Sequence, residues 1–103
     1  MRILWSELAH EAYLHICDSI NGHFGRRTES DYKVAVDKAV KQIARHPNLG
    51  KPEYELAADG SVRSKLVNGL SKIIYYTEDD TLYIADVWAT RQDPNMLIER
   101  FDK

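Results

Sequence analysis

Cysteine is nearly absent. Cys17 is the only one in 103 residues, which excludes an internal disulfide and any cysteine-rich zinc site. No apolar stretch approaches the roughly 18–20 residues that cross a bilayer, and a carboxylate at Glu7 interrupts the N-terminus too early for a secretory signal. A cytoplasmic protein with no membrane partner is therefore expected. A large charge of one sign is missing too. Fourteen Lys and Arg against sixteen Asp and Glu leave a net charge of −2, with the acidic surplus in the second half. Nucleic-acid binders are usually basic because phosphate neutralisation supplies most of their affinity. That balance disfavours a general nucleic-acid binder and leaves room for a local basic patch.

Metal and cofactor chemistry have no visible seat. His10 and His15 flank Glu11 in a zincin-like run, but five residues turn a helix by about 140°, where the motif needs four. His23 and His46 stand apart from any ligand cluster, and Gly22 and Gly25 lack the Lys-Ser/Thr of a phosphate loop. No metal and no cofactor are expected. Cys17 falls on the apolar stripe of a predicted helix with no basic neighbour in sequence, so it reads as a packing residue.

The chain is 44% hydrophobic and 29% charged, the composition of a globular domain, and its length suits one domain spanning 1–103. Arg2 to Trp5 is a short apolar stretch suited to an opening strand. Ser6 is a helix N-cap with Glu7 in the first turn. Leu8, Ala12, Ile16 and Ile20, with Ala9, Tyr13 and Cys17 beside them, make an amphipathic helix ended by Asn21-Gly22. A polar loop of about nine residues containing Gly25-Arg26-Arg27 follows, solvated in its simplest reading. Ser30 or Asp31 caps a second helix through Tyr32, Val36, Ala39, Val40 and Ile43 to about His46, stopped by Pro47 and Gly50.

Beyond Gly50 the period changes to two. Tyr54 and Leu56 alternate with acidic residues, Asp59-Gly60 turns the chain, and Val62 to Val67 reads as a strand. Asn68-Gly69 is a hairpin signal, since both residues tolerate positive φ. Lys72 to Thr77, the acidic turn Glu78-Asp79-Asp80 and Leu82 to Trp88 complete the sheet, and Asp93-Pro94 can open a short terminal helix. The order β-α-α-β-β-β predicts an α+β fold: an antiparallel two-helix hairpin on one face of a twisted, mainly antiparallel sheet.

Four cations stand out on otherwise acidic strands. Arg63 and Lys65 are two apart and share a face of their strand. Lys72 follows the Asn68-Gly69 turn, and Arg91 follows the last strand. They could collect on the sheet face opposite the helices, where Lys and Arg are also ordinary solvated residues. Lys and Arg can hold a scissile phosphate and stabilise its developing charge without a metal. Such chemistry also wants an acid for the leaving oxygen, and no Tyr or His follows Trp88. Trp5, Trp88, Tyr75 and Tyr83 could stack nucleobases, although strand aromatics more often pack as core.

The whole chain resembles the RelE/ParE superfamily of toxins from bacterial type II toxin–antitoxin (plasmid stabilisation) systems. The resemblance rests on Ala9, Ala12 and Ile16 in the first helix and on Pro47-Asn48-Leu49-Gly50 closing the second. It rests also on the strand Lys72-Ile73-Ile74-Tyr75-Tyr76 and on Val87-Trp88-Ala89-Thr90-Arg91-Gln92-Asp93-Pro94. It implies a toxin held inactive by a cognate antitoxin that wraps the helices and sheet, and a free toxin that can self-associate through that surface. Two targets are consistent with it. ParE-like members poison DNA gyrase, and RelE-like members cleave mRNA on the ribosome. Arg63, Lys65 and Lys72 match RelE-type catalytic positions in type and spacing, and Arg91 matches the Arg after the last strand with one residue of slippage; on the ParE reading they are target-binding candidates. The Arg-Gln-Asp-Pro ending is more ParE-like, with Ala89 in place of the His often found there. A convergent cation cluster beside a tyrosine would favour cleavage, and dispersed cations tied to Glu53, Glu55 or Asp86 would favour the inhibitor.

Overall fold

The computed structural model describes residues 1–90. Strand β1 (Arg2–Trp5) leads into helix α1 (Glu7–Phe24), and α2 (Arg26–Arg45) follows. Strand β2 (Lys51–Pro52), β3 (Arg63–Val67), β4 (Ser71–Glu78) and β5 (Thr81–Ala89) then build the sheet, in the spatial order β1-β5-β4-β3-β2. Three of the four pairings are antiparallel; β1 lies parallel to β5, because the helical hairpin carries the chain across the sheet. This is the α+β arrangement that the sequence pattern predicts.

Ser6 caps α1 as expected, its hydroxyl accepting the Ala9 N–H at 2.9 Å and donating to the Ala85 carbonyl at 2.8 Å. The helix does not end at Asn21-Gly22, and there is no nine-residue loop: Gly25 alone connects the helices. Gly25 adopts φ 92°, a conformation that side chains oppose, and its N–H closes α1 on the Asn21 carbonyl at 2.9 Å. The Asn21 side chain donates to Glu29 at 3.0 Å, so a residue that resembles a helix stop pins the two helices together. Arg26 and Arg27 consequently sit in the first turn of α2, and the cap is Gly25, not Ser30 or Asp31.

The main core lies between helices and sheet. Ala9, Ile16, Cys17 and Ile20 of α1 and Tyr32, Val36, Ala39, Val40 and Ile43 of α2 meet Val67, Ile73, Tyr75, Leu82, Ile84 and Val87. Leu8, expected on this stripe, is 42% exposed, because Ala9 takes the buried position at the start of α1. In β5 the residues that face this core switch from even, Leu82 and Ile84, to odd, Val87. A bulge makes this possible: Ile74 pairs with Asp86 but Tyr75 pairs with Ile84, so Ala85 is an extra residue.

The other sheet face is not simply solvated. Val62, Ile74 and Trp88 form a second small core there, joined by Leu56, Ala57, Tyr76 and Ala85. The expected strand at Tyr54 and Leu56 is instead a turn in which the Leu56 and Ala57 N–H groups both donate to the Glu53 carbonyl. Two consecutive side chains can then pack on the same surface, which strand alternation forbids. Among the described residues no helix is long and apolar enough to cross a membrane.

Candidate functional site

The Pro47-to-Gly50 segment, the Lys72-to-Tyr76 strand and Arg63 meet at one point. Tyr75 donates its hydroxyl proton to the Pro47 carbonyl at 2.7 Å and accepts the Gly50 N–H at 2.8 Å. Arg63, directly across the sheet from Tyr75, donates through Nη1 to the Gly50 carbonyl at 2.8 Å and to the Asn48 carbonyl at 3.4 Å. Burial pushes the Tyr75 phenol above its ordinary value, against the opposing pulls of the Gly50 amide and the Arg63 charge. Its proton is committed to a carbonyl, so Tyr75 is a structural clamp and a poor proton donor to any substrate.

Register decides where the cations point. Arg63 pairs with Tyr75 and Lys65 with Ile73, whereas Lys72 pairs with Leu66. Directly opposed residues share a face, and Tyr75 and Ile73 belong to the core beneath the helices. Arg63 and Lys65 therefore share a face, as their spacing implies, but it is the helix side, where they flank the end of that core. Lys72 alone lies on the opposite face. There Glu53 accepts from Lys72 Nζ at 3.3 Å and from the Ser64 hydroxyl at 2.6 Å. The side chains of Lys72 and Glu53 are only 24% and 20% exposed, so the ion pair is partly withdrawn from water. The three described cations do not converge. Arg91, and the expected helix start at Asp93-Pro94, lie outside the described residues.

The proposed stacking set is divided as well. Trp88 and Tyr75 are buried, and Trp5 packs on Tyr13 with ring centres 5.5 Å apart. Tyr83 stacks on Tyr76 at 5.0 Å, an ordinary cross-strand pair of the second core's rim. Cys17 is buried, and burial raises its thiol above the usual value; the packing role fits. Among the described residues no group of His, Cys, Asp and Glu is arranged to hold a metal ion.

One feature escapes sequence reasoning. Strand β4 has eight residues and β3 five, and β3 pairing begins only at Arg63 opposite Tyr75. Tyr76 and Thr77 thus run on without a neighbour on that side. A pocket of about 200 Å³ opens there, lined by Pro47, Asn48, Ser61, Arg63, Tyr76 and Thr77 among others.

The sequence profile described as "ParE toxin of type II toxin-antitoxin system, parDE" matches residues 3–94. The chain belongs to the ParE toxin family, within the RelE/ParE superfamily of type II toxins. Among solved structures it is similar to the chromosomal ParDE toxin–antitoxin system from P. aeruginosa, with a TM-score of 0.72 and 14% identity over 88% of this chain and 97% of that one. At that identity the likeness concerns the fold. No curated protein sequence matches the chain.

Proposed function

We propose that this protein is a cytoplasmic, growth-inhibiting toxin that poisons DNA gyrase and is neutralised by a cognate antitoxin. The observation that carries the choice of target is the separation of Lys72, ion-paired to Glu53, from Arg63 and Lys65 on the other face of the sheet. A phosphodiester-cleaving site needs cations converging on one phosphate and a proton donor beside them. Here the cations diverge, and the tyrosine opposite Arg63 has its hydroxyl engaged. The family match and the ParE-like Arg-Gln-Asp-Pro ending support the same reading. The net charge of −2 fits a protein target better than ribosomal RNA. Arg63, Lys65 and Arg91 stand as target-binding candidates, and Lys72 as a cation held by its own fold.

The test is controlled expression in bacteria with and without the small gene beside it. Growth arrest, trapped gyrase–DNA complexes and rescue by the neighbouring gene product are the expected results. Arrest accompanied by codon-phased mRNA cuts would overturn the gyrase assignment.

A further inference from the structure

Arg63 is half-buried, and its Nη1 spans two backbone carbonyls. Among the described residues it has no carboxylate partner. The pocket it lines presents Asn48, Ser61, Tyr76 and Thr77 but no acid. Asp59, the nearest carboxylate in sequence, is occupied in its own turn, accepting the Ser61 N–H at 2.9 Å. Lys72, by contrast, has its acid in place on the other face. A guanidinium fixed by its scaffold, ringed with neutral polar groups and left without a counter-charge, is a preformed anion site.

The pocket's position narrows the ligand. It sits where β3 stops and β4 continues, so Tyr76 and Thr77 border it with no strand opposite on that side. An open sheet edge receives extended polypeptide by strand addition.

We propose that this pocket binds a carboxylate carried on an extended acidic segment of the antitoxin, with Arg63 as its partner and the β4 edge as its backbone guide. The proposal rests on the reading of the protein as a neutralised toxin. Its consequence is that antitoxin affinity depends on salt and on the emptiness of the pocket.

The test uses the purified full-length toxin and the product of the neighbouring gene in calorimetric titrations over a series of salt concentrations. Thr77 and Ser61 are exposed, so Thr77→Glu and Ser61→Glu place a competing carboxylate at the pocket without disturbing the Arg63 tether. Each is expected to weaken antitoxin binding about tenfold or more, as loss of a partly desolvated charge pair does, with the melting temperature unchanged. Arg63→Gln should do the same, with Arg63→Lys intermediate because it keeps charge but loses the fork. Unchanged affinity in the folded Thr77→Glu and Ser61→Glu variants would overturn the proposal. So would a duplex DNA oligonucleotide that binds the wild type through Arg63 and yet leaves its antitoxin titration unchanged. A wild-type protein that binds no antitoxin would instead sink the toxin reading beneath it.

Discussion

Tyr75 and Gly50 fit together because Gly50 has no side chain: the Tyr75 hydroxyl accepts the Gly50 N–H at 2.8 Å, and a Cβ on Gly50 would come within 2.5 Å of that oxygen and 2.6 Å of the Ser64 carbonyl. The backbone at Gly50 is ordinary for any residue, with φ −74°; the requirement is space alone. The same contact joins the end of α2 to the middle of the sheet and orients the carbonyls that hold Arg63.

Gly50→Ala is therefore expected to destabilise the fold by about 1–3 kcal/mol, the range for forced overpacking. Tyr75→Phe leaves the Gly50 N–H and the Pro47 carbonyl without their partner and should cost about 1–2 kcal/mol. Urea denaturation of both variants checks this. A Tyr75→Phe protein that folds normally yet loses all toxicity would mean the hydroxyl serves chemistry and not the clamp.

Lys72 behaves differently on the two readings of the cations. Paired with Glu53, it should contribute about 1 kcal/mol or less to stability, and on the proposed gyrase reading Lys72→Ala should keep the wild-type growth arrest. Growth-arrest assays and melts on the same variant measure both. Abolished toxicity in a stable Lys72→Ala protein would contradict its assignment as a structural cation.

Glu29 gives a pH signature. The Asn21 amide, first, and Lys33 hold its carboxyl below the ordinary glutamate range. A depressed folded-state value means that its contribution is complete above the unfolded value and fades as pH falls through the folded one. Helix-hairpin stability should thus drop on the acid side of the ordinary glutamate range. In Glu29→Gln that component of the acid-side loss should be absent. Circular dichroism melts from neutral to acidic pH provide the comparison, and superimposable acid profiles would refute the link.

Cys17 should be silent toward thiol reagents. It is 2% exposed, and burial raises its thiol above the ordinary value, so both access and thiolate fraction are low. Labelling at neutral pH is expected to be at least about a hundredfold slower than in urea, a factor set by rare opening of the fold. Rapid labelling of the folded protein would show that α1 does not stay packed on the sheet.

The helices leave Leu14, Phe24 and Val34 exposed, at 46%, 62% and 66%. Such apolar surface favours association when uncovered. The free toxin should sediment with a concentration-dependent mass that the antitoxin suppresses. A strict monomer at high concentration would count against that role for the helix surface.

Much of this architecture is legible in the sequence because it follows local rules. Ser6 is a cap with the right hydroxyl, Asn68 and Gly69 both take positive φ, and the helical stripes become the core. What misleads is polarity with a tertiary purpose. Asn21 reads as a helix stop yet bonds Glu29 across the hairpin, and Tyr54 to Ala57 alternates like a strand yet folds into a turn to cover Trp88. The cations show the same divide. Their spacing puts Arg63 and Lys65 on one face, but only the pairing of Leu66 with Lys72 sends the third to the other, and register is a property of two strands together.

The most direct test sets purified protein against the two candidate targets side by side: gyrase with supercoiled DNA, and translating ribosomes with a defined mRNA. Double-strand DNA breaks trapped on gyrase, with mRNA left whole, are the expected result. mRNA cut in the ribosome, with cleavage lost in Arg63→Ala and gyrase unaffected, would contradict the proposed gyrase target.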